Sequence, residues 1–192
     1  MKFIGNTADI INWDDLYKTI NSSSTNNWVD GLTYDDDLPE NIADEYNREQ
    51  QKNFHPLMKV GYGKMTHLKW RVFQPGVDFD SAVNDQLATY VGCKPFYTWI
   101  SCTEPGCVIP PHNDLYRLDK MKGYYDNRDN VVRFHVHFPE PSFGHVFACE
   151  GKYFYDESKG NVYQWDDPKS IHGGCNFGLE KKYLYNFLGI KM

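Results

Sequence analysis

The C-terminal half of the chain is a succession of short strand-like segments separated by turn residues. The separators include the pairs Pro105-Gly106, Asp129-Asn130 and Glu150-Gly151. Short strands at this spacing, bounded by turn residues, are typical of an antiparallel sandwich or a small barrel. The candidate strands are residues 96–103, 107–110, 131–138, 145–149, 152–155, 161–165, 170–175 and 182–190.

The N-terminal half has a different pattern, because residues 1–60 are mostly polar and irregular. The candidate elements are a short amphipathic helix at 14–20, a surface helix at 42–52, a strand at 64–73 and a helix at 80–91. We therefore expect one domain over residues 1–192. In it, a helical or irregular support region, residues 1–94, packs against a β-rich core, residues 95–192.

Composition excludes several classes of partner. The chain of 192 residues has a formal net charge of −6, which disfavours general nucleic-acid binding because phosphate contacts need clustered Lys and Arg. It has no apolar run long enough to span a bilayer and no apolar secretory signal. Five Cys at irregular spacing predict reduced thiols and a cytoplasmic location. No sequence feature indicates an oligomeric state.

One segment carries a pattern typical of metal chemistry. A Pro-Gly turn leads into a short apolar strand that ends in His112-Asn113-Asp114. Alternation along a strand places the side chains of His112 and Asp114 on one face. His172 lies on a later candidate strand. Two imidazoles and one carboxylate are the ligand set of non-haem Fe(II) oxygenases, which leave coordination positions open. His112, Asp114 and His172 are therefore the candidate metal ligands and catalytic residues.

The order of several motifs resembles the aspartyl/asparaginyl β-hydroxylase family of 2-oxoglutarate-dependent oxygenases, over residues 96–190. The motifs are Pro-Gly-x-x-x-Pro-Pro-His-x-Asp, the segment 133–138, the aromatic segment 161–167, His172 and the pair Lys181-Lys182. The resemblance implies a mainly β fold, the double-stranded β-helix or jelly roll, with the N-terminal helices packed against it.

The resemblance also implies an activity: a 2-oxoglutarate- and Fe(II)-dependent dioxygenase that uses O2, hydroxylates an amino acid, free or in a peptide or protein, and releases succinate and CO2. Lys182 would bind the distal carboxylate of 2-oxoglutarate, with Lys181 as the near-equal alternative. Only one of these two can face inward. Arg133 and His135 would flank the carboxylates of 2-oxoglutarate or of the substrate.

Two other functions stay open at this stage. His135 and His137 lie on one face of their strand, and with His172 they fit a cupin-type metal enzyme, which shares the jelly-roll fold. A non-catalytic jelly-roll binding module is the other alternative. In the preferred interpretation, aromatic residues such as Trp99, Tyr163 and Trp165 wall the site and keep it dry.

Overall fold

The computed structural model describes residues 1–22, 29–31, 68–72, 82–112, 131–155, 157–165 and 170–192. At 29–31, 68–72, 96, 97, 110 and 112 it describes the backbone alone. The described helices are α1 (Trp13–Ser22) and α2 (Ala82–Val91). The described strands are β1 (Lys2–Asn6), β2 (Val29–Gly31), β3 (Leu68–Val72), β4 (Cys93–Thr103), β5 (Val108–His112), β6 (Val131–His137), β7 (His145–Cys149), β8 (Lys152–Phe154), β9 (Asn161–Trp165), β10 (His172–Asn176) and β11 (Lys182–Lys191).

The strands form two antiparallel sheets. Within the described residues, the larger has seven strands in the order β1-β9-β6-β11-β4-β3-β2, and the smaller has four in the order β5-β10-β7-β8. From β4 onward the chain passes back and forth between the two sheets: β4, β6, β9 and β11 lie in the larger, and β5, β7, β8 and β10 in the smaller. This alternation is the topology of a jelly roll. The predicted fold class is therefore confirmed.

The predicted strands of the C-terminal half are all present, and most of them have shifted ends. The predictions 145–149 and 161–165 match β7 and β9 at both ends. β4 begins three residues before the predicted 96, because its first residues pair with Gly189, Ile190 and Lys191 at the end of β11. That pairing is not visible in the local pattern of the segment.

The prediction that the first sixty residues are helical or irregular was wrong at β2, which pairs with β3, and at β1. This strand pairs with β9 and adds an edge to the larger sheet, with Lys2 opposite Gln164 and Phe3 opposite Tyr163. Gly5 in β1 has a φ of +153°, and a Cβ there would collide with the Tyr90 hydroxyl of α2. The segment therefore needs a glycine, and a glycine weakens the strand signal. The predicted helix 42–52 lies outside the described residues.

The main hydrophobic core lies on the outer face of the larger sheet, under the two helices. α1 begins after Asn12, whose Oδ1 accepts a hydrogen bond from the Asp15 backbone N–H at 3.2 Å, as an N-cap does. The helices and the residues just before α1 contribute Ile11, Trp13, Leu16, Ile20, Leu87 and Ala88 to the core. The sheet contributes Ile100, Val132, Phe134, Val136, Tyr183, Tyr185 and Phe187 among others. The expectation that helices pack against the jelly roll is confirmed.

In the part of the chain that the structure describes, neither helix is long and apolar enough to cross a membrane.

Candidate functional site

The face of the larger sheet that looks toward the smaller sheet is polar. On β6, Val132, Phe134 and Val136 belong to the core under the helices. The alternate residues His135 and His137 therefore project between the sheets. The His135 ring lies 4.3 Å from the Phe147 ring of β7, centroid to centroid, which confirms that it points at the smaller sheet.

The other strands add buried polar groups to the same space. Burying a polar group without a partner is costly, so a group of them between two sheets is more typical of a binding site than of a structural core. The buried polar residues here are Ser101, Thr103, His135, His137, His145, His172, Asn176, Lys182 and Asn186.

Lys182 is the first residue of β11 and is only 1% exposed. Its Nζ donates a hydrogen bond to the Val146 carbonyl of β7. Among the described residues, no carboxylate lies within ion-pair distance of this ammonium group. Burial lowers its pKa to about 8, opposed in part by Cys175 and Glu157. The inner wall thus carries a cation that the described residues do not neutralise directly.

Lys181 points the other way. Its side chain is 52% exposed, and its Nζ forms a salt bridge with Glu104 at 3.1 Å. The hydrogen bond to Glu104 raises the pKa of Lys181. Of the two lysines that the sequence left as alternatives, Lys182 faces the interior and Lys181 faces solvent.

Arg133 also faces inward from β6, on the same side as His135 and His137. Its guanidinium lies between two indole rings. Its Cζ is 4.8 Å from the ring centroid of Trp99 and 4.4 Å from that of Trp165, within the range of cation–π attraction. Its Nη1 is 3.5 Å from His172 Nε2, and Nη2 donates to Asn186 Oδ1 at 3.4 Å. Burial lowers the pKa of Arg133 to about 9, so the group still carries its charge near neutral pH.

His172 is oriented by a hydrogen bond to its own segment. Its Nδ1 lies 3.0 Å from the Ser170 carbonyl oxygen. A carbonyl only accepts, so Nδ1 carries the proton and Nε2 holds the lone pair. Metal-binding histidines are commonly fixed in this way, with the outer nitrogen donating to a backbone carbonyl. The Nδ1 contact of His172 therefore matches the way metal-binding histidines are held, and a metal at Nε2 would take the place of Arg133 Nη1, which lies 3.5 Å from that nitrogen.

The backbone register brings a second predicted ligand next to His172. In the pairing of β10 with β5, His172 is the direct partner of His112. Directly opposite residues have Cβ atoms about 4.5–5.5 Å apart, which is close enough for two side chains to share one ion. The side chain of His112 and the whole of Asp114 lie outside the described residues. The ligand set His112, Asp114 and His172 stays a prediction.

The cupin-type alternative has less support from the side chains. His135 and His137 are neighbours, with ring centroids 5.3 Å apart. Within the described residues, however, no three His, Cys, Asp or Glu side chains are placed to hold one metal ion. The set His135, His137 and His172 is therefore not assembled, although the jelly-roll fold suits both interpretations.

The buried histidines of β6 have nitrogen atoms without partners. His135 is 0% exposed and His137 is 1% exposed. Both ring nitrogens of His135 and the Nε2 of His137 are buried without a hydrogen-bond partner among the described residues. Burial is the main cause that lowers the pKa of both well below the usual range, and nearby positive charges add to it. Both rings are therefore neutral at physiological pH.

Aromatic side chains close the space around these groups. Trp99, Tyr163 and Trp165 are 4%, 8% and 5% exposed, as expected of the predicted aromatic wall. Phe147 completes it, with ring contacts to His135, Trp165 and His172. The sequence analysis did not name Phe147 or Asn186. Strand alternation could have found Asn186, which lies four residues after Lys182 on the same face of β11.

No protein-family model matches the sequence, and no curated protein matches it either. Solved structures similar to this chain include a Pseudomonas putida prolyl-4-hydroxylase, at 14% identity over 92% of this chain and 100% of that chain, with a TM-score of 0.47. A Trichoplax adhaerens prolyl hydroxylase in complex with a hypoxia inducible factor oxygen degradation domain peptide fragment is 11% identical over 97% and 94%, with a TM-score of 0.48. A cupin 2 conserved barrel domain protein from Salinispora arenicola is 13% identical over 65% and 76%, with a TM-score of 0.38. These are distant similarities, and membership of the aspartyl/asparaginyl β-hydroxylase family stays a prediction.

Proposed function

We propose that this protein is a 2-oxoglutarate- and Fe(II)-dependent dioxygenase that hydroxylates an amino acid, either free or in a peptide or protein. The observation that carries the proposal is Lys182, a buried cation on the inner wall of a jelly roll, with no carboxylate partner among the described residues. A buried charge is costly unless it is paired. An acid that enters the space between the sheets is the partner this ammonium group requires.

The position of Lys182 beside β10 favours a dicarboxylic acid as its partner. Lys182 Nζ lies 3.1 Å from the point where a Cβ of Gly174 would stand. Gly174 is two residues from His172 on β10, and two residues of a strand span about 6.6 Å. Lys182 Nζ thus lies close to a residue of β10 that is two positions from His172, a separation on the scale of a short dicarboxylic acid such as 2-oxoglutarate.

The residue types predicted as ligands, two histidines and one aspartate, suit an iron ion. His172 Nε2 holds a lone pair, His112 is its backbone partner, and Asp114 would supply the carboxylate. Iron held by these three residues would supply the oxidising chemistry, in which O2 is consumed, the keto acid leaves as succinate and CO2, and one oxygen atom enters the substrate.

The protein's own side chains bind and orient the keto acid and the substrate. Lys182 holds the distal carboxylate of the acid, so that its keto end points toward His172. Arg133 stays charged between the rings of Trp99 and Trp165 and is within 3.5 Å of His172. It therefore lies where a second carboxylate, from the keto acid or from the amino-acid substrate, would need a cation. The aromatic rings exclude water from these contacts and strengthen them.

Turnover of 2-oxoglutarate tests the proposal. Purified protein with Fe(II), ascorbate and 2-oxoglutarate should form succinate, and the His172→Ala variant should form it at least 100-fold more slowly. Lys181→Ala is the control and should keep the wild-type rate, because Lys181 faces solvent, where it is paired with Glu104. The proposal is wrong if the wild type forms no succinate, or if His172→Ala and Asp114→Ala both keep its metal content and turnover. A protein that binds 2-oxoglutarate without turnover would instead be the non-catalytic binding module.

A further inference from the structure

A single lysine pairs strongly with only one of the two oxygen atoms of a carboxylate. An arginine grips both oxygens of a carboxylate with its planar fork, whereas a lysine acts as a point charge. Lys182 also uses one of its three N–H donors on the Val146 carbonyl. The two remaining N–H donors cannot satisfy the roughly four acceptor sites of a buried carboxylate, so another donor close to Lys182 is needed.

The register of the sheet places His137 near Lys182 on the inner face. In the pairing of β11 with β6, His137 is opposite Leu184, which lies two residues after Lys182 and on the same face of β11. In keeping with this register, the positive charge of Lys182 contributes, after burial, to the lowering of the pKa of His137. The imidazole and the ammonium group thus line the same end of the interior.

The Nε2 of His137 is available for a ligand. It is buried and has no hydrogen-bond partner among the described residues. His145, which also lies near Lys182, is different, because both of its ring nitrogens have backbone partners in Ser142 and Glu180. A buried polar atom without a partner destabilises the empty protein, and a ligand that satisfies it gains binding free energy.

We propose that His137 is a second contact of the acid that Lys182 binds: its Nε2–H donates to one oxygen of the distal carboxylate, and Lys182 pairs with the other. The proposal rests on the proposed 2-oxoglutarate site and adds a residue to it. Lys182 and His137 together supply what one arginine would, namely charge from the ammonium group and directed hydrogen bonding from the neutral ring. This part of the site then selects keto acids that have a second carboxylate.

Calorimetry with the full chain and Mn(II), which replaces iron without turnover, tests the contact through binding alone. The His137→Leu variant should weaken binding of 2-oxoglutarate about tenfold, the loss expected for one hydrogen bond to a charged group. His137→Gln should keep most of the affinity, because its side-chain amide can occupy the position of Nε2. The affinity for 2-oxopentanoate, which lacks the distal carboxylate, should be the same in all three proteins.

The outcomes separate the two proposals. If Lys182→Met does not weaken binding of 2-oxoglutarate, the proposed function itself is wrong. If Lys182→Met weakens it and His137→Leu does not, the role of His137 is wrong. Should His137→Leu fail to fold, imidazole nitrogen NMR of the wild type decides. The His137 Nε2 signal should shift with 2-oxoglutarate and not with 2-oxopentanoate, and an equal response to both acids would overturn the assignment.

Discussion

Lys181 and Lys182 are neighbours in sequence and lie on opposite faces of β11. The side chain of Lys181 is half exposed and paired with Glu104, whereas Lys182 is 1% exposed and bonded to a backbone carbonyl. The same residue type, one position apart, is therefore a surface charge in one case and, in the other, a buried charge with no carboxylate partner among the described residues. Substituting each lysine in turn therefore compares how a buried charge and an exposed charge affect the free energy of unfolding.

We expect Lys182→Met to stabilise the ligand-free protein. Removing the buried charge should raise the free energy of unfolding by on the order of 1–4 kcal/mol. Loss of the hydrogen bond to the Val146 carbonyl offsets about 1 kcal/mol of that gain. Lys181→Met should stay within about 0.5 kcal/mol of the wild type, because an exposed salt bridge contributes little. Urea unfolding of the three proteins measures these differences, and a Lys182→Met variant less stable than the wild type would contradict the prediction.

The stability of the ligand-free protein should rise with pH because of the same lysine. The folded-state pKa of Lys182 is about 8, below its ordinary value of 10.5. Between these two values the unfolded chain binds more protons than the folded one, so the free energy of unfolding increases with pH. Lys182→Met removes this contribution. The difference in stability between variant and wild type should therefore shrink from pH 7 to pH 9.5, and a constant difference would argue against a depressed pKa.

The jelly roll was predictable because turn residues divide the C-terminal half into short segments, and each segment has a composition typical of strands. The inward position of Lys182 was not, because β11 is buried on both faces. Tyr183, Tyr185 and Phe187 pack under the helices, while Lys182 and Leu184 face the smaller sheet. Alternation of polar and apolar residues is therefore incomplete along β11, and the pairing with β4 and β6 was needed to assign its faces.

The shared face of the two histidines of β6 was predictable, but the lack of partners for their nitrogen atoms was not. Strand alternation places His135 and His137 on one face, which the structure confirms. That both rings would have nitrogen atoms without partners depends on neighbours from β7 and β9, which are distant in sequence. β1 was missed because it pairs at the sheet edge with a strand far along the chain and is mostly exposed.

Gly174 should be required for the position of Lys182. A Cβ at residue 174 would lie 2.7 Å from the Val146 carbonyl oxygen and 3.1 Å from Lys182 Nζ, both too close. Gly174→Ala should therefore destabilise the fold by about 1–3 kcal/mol and weaken binding of 2-oxoglutarate by displacing the ammonium group. In the Lys182→Met background the same substitution should cost less binding free energy, because residues in contact are not additive. Equal effects in both backgrounds would show that Gly174 acts elsewhere.

Asn12 should contribute to stability without contributing to the site. It caps α1 through the Asp15 backbone N–H, and its Nδ2 donates to Asp15 Oδ2 at 2.6 Å. Asn12→Ala should lower the free energy of unfolding by about 1 kcal/mol, the usual cost of a lost N-cap. α1 packs on the face of the larger sheet that is opposite Lys182 and His137, so the Kd for 2-oxoglutarate should not change. Chemical unfolding and calorimetry on the same sample check both parts. A variant with unchanged stability but weaker binding would mean that the helix side of the sheet is coupled to the ligand.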